Sequence, residues 1–267
     1  MTTSIIVTGA MGKMGREIAA AVLSDPSCSL AGCVEHPSHS AIGKDYAACS
    51  GLASEDVMLR GSTSGLPVDK SVIVDFTSPQ ATLALLAAVE GKPARLVIGT
   101  TGFSDAETER IKSAARSIPI VVSPNMSLGV NLLFVLTELA ARKLGGTFDI
   151  EIIEAHHRFK KDSPSGTAKR LGEIAAAALG VGYGEAVRNG RAGITGERTG
   201  KEIGMHSVRG GDIVGDHTVL FAGMGERLEL RHVAQSRATL ARGAIAAALW
   251  LVKQKPGLYS MRDVLGL

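Results

Sequence analysis

A glycine-rich turn near the start of the chain limits the possible folds more than any other stretch. Residues 4–8 are rich in β-branched side chains, residues 9–15 read Gly-Ala-Met-Gly-Lys-Met-Gly, and residues 16–23 follow a helical pattern. A strand, a glycine turn and a helix in this order are typical of a dinucleotide-binding unit, because glycines let the backbone approach a pyrophosphate at the helix N-terminus. The spacing G-x-x-G-x-x-G departs from the commoner G-x-G-x-x-G, so the generic pattern is weaker here.

An acidic residue follows the second predicted strand, at residues 29–34. Glu35 lies about twenty residues after Gly15, where an acid is expected to bond the adenosine ribose hydroxyls of a dinucleotide. A surface acid at a strand end is the alternative interpretation. Glu35 favours a free ribose hydroxyl, whereas His36 and Lys13 can accommodate a 2′-phosphate, so the sequence leaves the choice between NADH and NADPH open.

Strands continue to alternate with helices up to residue 122. The predicted elements are a short strand at 57–59 within a polar connection at 39–66, strands at 71–76, 96–98 and 118–122, and helices at 79–89 and 105–117. This alternation predicts a parallel sheet with right-handed crossovers, whose ligands bind at the carboxyl ends of the strands. We therefore expect an N-terminal Rossmann-type α/β domain.

The second half of the chain has a different pattern. Glycine turns at Gly210-Gly211 and Gly223-Met224-Gly225 separate three strand candidates, which predicts hairpins. The predicted elements are an apolar, buried helix at 129–144, a strand at 148–155, a helix at 167–179, a mobile excursion at 181–201, strands at 203–209, 213–222 and 227–234, and a helix at 238–254. We expect a second α+β domain built on a mixed, largely antiparallel sheet.

Residues 151–168 carry the densest group of reactive side chains, with two adjacent histidines, three cations and a Ser-Gly-Thr turn. Burial and nearby charge can tune histidine or lysine as a proton donor, and N–H groups at a helix start favour a carboxylate or phosphate. Pro164 suits a first helical turn. The histidines are alternatively solvated loop residues. A metal site formed by Glu154, His156 and Asp162 is also conceivable, although neighbouring side chains of an extended chain point to opposite sides.

Taken together, these residues resemble the signature of the 4-hydroxy-tetrahydrodipicolinate reductases, also called dihydrodipicolinate reductases, of the diaminopimelate route to lysine. The similarity extends along essentially the whole chain. It implies that NADH or NADPH reduces hydroxylated tetrahydrodipicolinate, a small cyclic dicarboxylate, with loss of water. It also implies a discontinuous nucleotide-binding domain at 1–127 plus 236–267, a substrate-binding and oligomerisation domain at 128–235, and a homotetramer joined through the second domain.

The resemblance further implies roles for individual residues. His156 would be the proton donor or acceptor and Lys160 a second donor, while His157, Gly166 and Thr167 would hold the substrate carboxylates. Residues 9–14 would hold the pyrophosphate, and the segments near 100 and 125 the nicotinamide half. The implied cofactor contacts are Gly9, Ala10, Met11, Gly12, Lys13, Met14, Glu35, His36, Gly99, Thr100, Thr101, Ser123, Pro124, Asn125 and Met126.

Composition argues against several other classes of protein. A net charge of +3 without a basic tract does not indicate a nucleic-acid-binding protein. The three cysteines, Cys28, Cys33 and Cys49, have no C-x-x-C spacing and are expected to be reduced thiols. No apolar run approaches membrane-spanning length and no signal peptide is recognisable. We therefore expect a soluble, cytoplasmic enzyme without membrane contact or a metal site.

Three other functions stay open at this point. Another two-domain dehydrogenase is the first, although an aspartate-semialdehyde dehydrogenase needs a cysteine in its catalytic half and all three cysteines precede residue 50. A homoserine dehydrogenase lacks the His-His, Lys and Ser-Gly-Thr arrangement. A non-catalytic nicotinamide-binding redox sensor is the second, but it has no need of an acid beside an anion site. A metal-dependent hydrolase is the third, since fold alone does not fix function.

Overall fold

The computed structural model describes residues 2–53 and 56–267. Ser54 and Glu55, within the connection predicted at 39–66, therefore lie outside the described residues. The chain forms two compact units, one made of Met1–Leu128 with Arg237–Leu267 and the other of Gly129–Ser236. No helix in this described part of the chain is long and apolar enough to cross a membrane.

Strands and helices follow one another through both units. In chain order they are β1 (Thr3–Thr8), α1 (Lys13–Ser24), β2 (Cys28–Val34), α2 (Tyr46–Ser50), β3 (Leu59–Arg60), β4 (Ser71–Asp75), α3 (Pro79–Ala88), β5 (Arg95–Ile98), α4 (Asp105–Ala114), β6 (Pro119–Val122), α5 (Leu128–Leu144), β7 (Asp149–His156), α6 (Gly166–Leu179), α7 (Tyr183–Ala186), β8 (Val187–Asn189), β9 (Ile203–Arg209), β10 (Gly215–Ala222), β11 (Arg227–Ala234), α8 (Ala238–Leu251), β12 (Gly257–Tyr259) and α9 (Met261–Leu265).

The first unit is built on a seven-stranded parallel sheet in the order β12-β6-β5-β4-β1-β2-β3. Its central strands are apolar on both faces because a hydrophobic cluster with helix residues covers each face. All five residues of β4 are buried. The strand order reverses between β1 and β4, which is where open α/β sheets bind ligands. The predicted Rossmann-type α/β domain is confirmed.

The second unit contains a five-stranded mixed sheet in the order β11-β10-β7-β9-β8. β7 runs antiparallel to β10 and parallel to β9. Alternate residues of β7 face the helices, so Ile150 and Ile152 pack in a core with Leu171 of α6, and Glu154 is buried on the same side. We call this side the inner face of the sheet, and the opposite side, which carries Glu151, the outer face. The predicted mixed sheet is confirmed, but it is not largely antiparallel, because two of its four strand pairings are parallel.

One of the two predicted hairpins is wrong. The strands on either side of the Gly210-Gly211 turn, β9 and β10, are separated in the sheet by β7. A glycine turn indicates where the chain can reverse direction, but it does not select the partner of the strand that follows. The second predicted hairpin is confirmed, because β10 and β11 pair antiparallel across the turn at residues 223–225.

Three further details differ from the sequence-based expectations. The excursion predicted at 181–201 contains the short elements α7 and β8. Helix α5 is not buried all round, because only one of its sides packs in the core of the second unit, while Leu139 on another side is 55% exposed. Pro164 lies before α6 and not in its first turn, because Ser165 is the N-cap residue and caps the helix with its hydroxyl group. The Ser163–Pro164 peptide bond is cis.

Candidate active site

The glycine turn connects β1 to α1 at the carboxyl end of the first sheet. Gly9 has φ = +62°, which a residue with a side chain rarely adopts. Gly15 approaches the backbone of Gly9 so closely that a Cβ atom on Gly15 would overlap it. Gly12 is the N-cap residue of α1 and has no side chain to cap the helix, so the first-turn N–H groups are available to an anion. The turn therefore fits a pyrophosphate.

Two side chains from outside the turn hold its backbone. The buried Tyr46 hydroxyl donates to the carbonyl oxygen of Ala10 at 2.8 Å. Glu35 accepts hydrogen bonds from the N–H groups of Met11 and His36, both at 2.9 Å. Glu35 thus lies beside the glycine turn, as its predicted contact with a ribose requires. Sequence analysis did not identify Tyr46, because its partner is 36 residues away and no local pattern marks it.

The remaining residues predicted for the cofactor follow β5 and β6 at the same edge of the first sheet. Thr100 is 5% exposed, and its hydroxyl donates to the Asp75 carboxylate at 3.0 Å. Met126 is fully buried in the hydrophobic core, so its side chain is not accessible to a ligand in this structure. The residues in these two segments that are at least partly accessible are Gly99, Thr101, Pro124 and Asn125.

The two residues able to meet a 2′-phosphate are both on the surface. Lys13 is exposed in the first turn of α1. His36 is exposed at the end of β2, with its Nδ1 atom 2.8 Å from the Ser38 hydroxyl. Both side chains are therefore accessible to solvent, and the choice between NADH and NADPH stays open.

In the second unit, His156 ends β7 on the inner face of the sheet. Its Nδ1 atom lies 2.6 Å from Oε2 of Glu154, and Glu154 is completely buried. Burial alone would raise the pKa of Glu154, but hydrogen bonds from Arg209 and His156, among others, lower that pKa to about 2. The carboxylate is thus hydrogen-bonded to Nδ1 of His156, and Nε2 is the ring nitrogen left to exchange a proton with a ligand.

Arg209 supplies the positive charge that pairs with Glu154. It is the β9 residue in register with His156, and its guanidinium donates to both carboxylate oxygens at 2.8 Å. The same guanidinium donates to the carbonyl oxygen of Asp162 at 2.7 Å, and Glu154 also accepts from the Ser165 N–H at 3.1 Å. The Glu154–Arg209 pair therefore fixes both the imidazole and the turn that leads into α6.

The loop after β7 carries the other predicted donor. Lys160 lies 2.9 Å from the Asp162 carboxylate and keeps 20% of its side chain exposed. That hydrogen bond lowers the pKa of Asp162. The neighbouring His157 has a buried Nδ1 atom without a hydrogen-bonding partner among the described residues. Within those residues, no group of three histidine, cysteine or carboxylate side chains is placed to hold a metal ion, so the site conceived from Glu154, His156 and Asp162 does not form.

Helix α6 begins immediately after this loop. Ser165 is its N-cap residue, and its hydroxyl accepts from the Ala168 N–H at 3.1 Å. Gly166 and Thr167 form the first turn of the fourteen-residue helix. The start of the helix, with its N–H groups and positive dipole end, favours an anion here.

A buried histidine that sequence analysis missed lies beside His156. His217 of β10 is in register with Glu154 and 4% exposed, and its ring centroid is 5.2 Å from that of His156. Burial and the neighbouring His156 lower the pKa of His217 to about 4, so its ring is neutral at neutral pH. Its Nε2 atom lies 3.0 Å from the Ser165 hydroxyl. His217 thus links the inner face of the sheet to the start of α6.

Two family models cover nearly all of the chain. The model described as dihydrodipicolinate reductase, N-terminus, matches residues 3–126, and the model described as dihydrodipicolinate reductase, C-terminus, matches residues 129–265. The chain belongs to the dihydrodipicolinate reductase family. The resemblance read from the glycine turn and from residues 151–168 is confirmed, and the chain is an oxidoreductase.

Individual relatives match over their full length. The chain is 50% identical over 265 residues to the 4-hydroxy-tetrahydrodipicolinate reductase of Hahella chejuensis, covering 99% of both chains. It is 49% identical over 269 residues to the enzyme of the same name from Thiobacillus denitrificans, covering 100% of both. The solved structure of dipicolinate-bound dihydrodipicolinate reductase from Paenisporosarcina sp. TG-14 matches with a TM-score of 0.79 and 26% identity, covering 98% of this chain and 99% of that one.

Proposed function

We propose that this chain reduces 4-hydroxy-tetrahydrodipicolinate to tetrahydrodipicolinate, with loss of water, in the diaminopimelate route to lysine. NADH or NADPH is the reductant. Membership of the family supports the reaction. The observation that carries the assignment of residues is the 2.6 Å contact between His156 and the buried Glu154, in the same small unit as an anion-favouring helix start. A proton donor and an anion site are what this substrate needs.

The cofactor site is proposed at the carboxyl edge of the first sheet. Gly9, Gly12 and Gly15 place no side chain in the proposed pyrophosphate site, and Glu35 lies next to the glycine turn, where it would accept hydrogen bonds from a ribose. Residues 99–101 and 123–126 follow neighbouring strands and would flank the nicotinamide half. When bound, the reduced nucleotide supplies a hydride to the substrate.

His156 handles the proton that accompanies the hydride. Glu154 holds the Nδ1 atom, which fixes the tautomer, and its negative charge stabilises the ring when both nitrogens are protonated. Nε2 is then the atom that donates to the substrate. Lys160 is the second donor, and its ammonium group also offsets negative charge on the substrate. The reaction consumes one hydride and one proton and releases one water molecule.

The two carboxylates of the substrate are held by the residues that follow. Gly166 and Thr167 lie in the first turn of α6, where backbone N–H groups favour an anion. His157 can donate a further hydrogen bond from the adjoining loop. Because these groups are built from one continuous segment, the substrate is bound by the same loop that supplies its proton.

The second unit is also the proposed site of assembly. Its sheet ends at the strands β8 and β11, and such edges and an open face need to be covered. We propose a homotetramer joined through this unit, which the family resemblance supports. We also propose a cytoplasmic location, in keeping with the free thiols of Cys28, Cys33 and Cys49.

The proposed reaction is tested by following the absorbance of the reduced nicotinamide. A synthase makes the unstable substrate in the cuvette from pyruvate and aspartate semialdehyde, and NADH and NADPH are compared in parallel. Oxidation that depends on the synthase is expected, and the two rates give the nucleotide preference. Binding of both nucleotides without any synthase-dependent oxidation would contradict the proposal and favour a nicotinamide-binding sensor.

A further inference from the structure

Asp75 is a buried carboxylate that belongs to none of the residues assigned above. It ends β4, is 1% exposed, and lies where the strand order of the first sheet reverses. Each of its oxygens accepts hydrogen bonds from two threonine hydroxyl groups. Oδ1 accepts from Thr8 at 2.6 Å and from Thr77 at 2.7 Å, and Oδ2 accepts from Thr82 at 2.5 Å and from Thr100 at 3.0 Å.

Three of these threonines lie in segments that frame the proposed cofactor site. Thr8 ends β1 and directly precedes Gly9 of the glycine turn. Thr77 follows β4, and its methyl group packs against Gly9. A Cβ atom added to Gly9 would lie only 2.8 Å from this methyl group. Thr100 follows β5, in the segment proposed for the nicotinamide half. The fourth, Thr82, lies within α3 and is fully buried.

The hydroxyl of Thr100 also joins two of these segments directly. While it donates its proton to Asp75, it accepts the backbone N–H of Thr77 at 2.9 Å. A hydroxyl group has only one proton to donate, so Asp75 fixes the orientation of the Thr100 hydroxyl as an acceptor for Thr77. The end of β4 and the end of β5 are thereby held at a fixed separation.

The carboxylate is well suited to hold these positions. A buried acid without hydrogen bonds is costly, whereas one whose oxygens are filled by donors is stable and geometrically restrained. All four donors come from different segments of the chain, namely the ends of β1, β4 and β5 and the body of α3. Asp75 can therefore transmit the position of any one strand end to the other two.

We infer that Asp75 is a positioning residue for the nicotinamide half of the cofactor, acting through Thr77 and Thr100. This inference rests on the proposed nucleotide-dependent function. The carboxylate does not touch the nucleotide in this view. It sets the spacing of the strand ends between which the nicotinamide ring lies, and the rest of the nucleotide depends on the glycine turn and Glu35 instead.

The test uses threonine variants, because the direct change Asp75→Asn places an N–H2 group among four hydroxyl donors and threatens folding itself. Thr100→Val and Thr82→Val form a matched pair. Both remove one hydroxyl donor from the same oxygen, Oδ2, with little change of side-chain shape, but only the first also removes the acceptor of the Thr77 N–H. Thr100→Ser keeps the hydroxyl and serves as the conservative rescue.

Binding of two probes, NADH and ADP-ribose, is measured by titration calorimetry for the wild type and the three variants. ADP-ribose has the adenosine, both phosphates and the second ribose, but no nicotinamide. Thr100→Val is expected to weaken NADH binding about fivefold to tenfold, the effect of losing one or two hydrogen bonds, and to leave ADP-ribose binding unchanged. Thr82→Val is expected to bind both probes like the wild type, and Thr100→Ser, which keeps the hydroxyl group, is expected to bind NADH more tightly than Thr100→Val does.

A parallel loss of both probes in Thr100→Val would overturn the inference, and so would equal losses in Thr100→Val and Thr82→Val, because either result indicates a general loss of structure. A Thr100→Ser variant as impaired as Thr100→Val would also contradict it. The wild type provides the separate check on the proposed function, since failure of the unaltered chain to bind NADH at all would withdraw the cofactor assignment before any variant is compared.

Discussion

Replacing Glu154 by glutamine tests whether this buried carboxylate positions His156. Both of its oxygens are hydrogen-bonded in the structure. Oε2 bonds to His156 and Arg209, and Oε1 bonds to Arg209 and to the Ser165 N–H. The substitution keeps the side-chain shape but converts one oxygen into an N–H2 donor. In either position that donor faces an N–H group of Arg209, and the guanidinium loses the charge that pairs with it.

The cost in stability follows from the pKa of Glu154. Burial opposes ionisation, yet hydrogen bonds from Arg209 and His156 lower the pKa from 4.5 to about 2. A carboxyl group whose pKa is depressed in the folded state stabilises the fold above pH 4.5, and this contribution is lost as the pH falls from 4.5 toward 2. At neutral pH the difference corresponds to about 3 kcal/mol of unfolding free energy. We expect Glu154→Gln to lose stability of this order, and the gap to the wild type to close at acidic pH.

The cost in activity has a different origin. Without the carboxylate, the His156 ring loses the acceptor that fixes its tautomer and the charge that stabilises its protonated form. We expect kcat to fall about 10- to 100-fold, less than the 10²- to 10⁴-fold loss typical for removing a general acid outright. The affinity for NADH should stay unchanged, because the proposed nucleotide site lies in the other unit.

Glu151 provides a matched control on the same strand. It lies on the outer face, pairs with Arg191, Arg198 and His206, and these partners lower its pKa to about 2 although burial opposes the shift. Glu151→Gln should therefore cost comparable stability in urea unfolding but leave kcat as in the wild type. If Glu154→Gln and Glu151→Gln changed kcat equally, the positioning role of Glu154 would be refuted.

Four further variants test the remaining groups. His156→Gln should lower kcat about 10²- to 10⁴-fold, and Lys160→Ala should lower kcat and raise KM for the dicarboxylate, with NADH binding unchanged; full turnover in both variants would contradict the assignment. Glu35→Ala should weaken NADH about tenfold and NADPH less, as titration calorimetry would show, and equal losses would argue against its ribose contact. Burial lowers the pKa of His217 from 6.5 to about 4, so as the pH falls the unfolded chain binds this proton before the folded chain does. The wild type should therefore lose up to about 3 kcal/mol of unfolding free energy as the pH falls from 6.5 toward 4. His217→Gln should abolish that decline in thermal unfolding, and an unchanged decline would show that another group causes it.

The parts of the site that sequence analysis predicted are those encoded locally. The turn from β1 to α1 and the run from His156 to Thr167 are continuous segments whose residue types and spacing indicate their chemistry directly. Arg209 was missed because it approaches Glu154 from 55 residues away, and only the parallel pairing of β9 with β7 brings it there. The wrong hairpin at residues 210–211 has the same origin, since local turn signals say nothing about which strand a new strand will join.

The distribution of charge on the inner face of the second sheet also depends on the order of its strands. β10 and β9 flank β7, so His217 and Arg209 reach Glu154 and His156 from opposite sides. Arg209 balances the charge of Glu154, and burial keeps His217 neutral with a pKa of about 4. A second positive ring 5.2 Å away would oppose a proton on His156. Because His217 stays neutral and Arg209 is permanently paired with Glu154, neither of these two side chains competes with the proposed proton donor, His156.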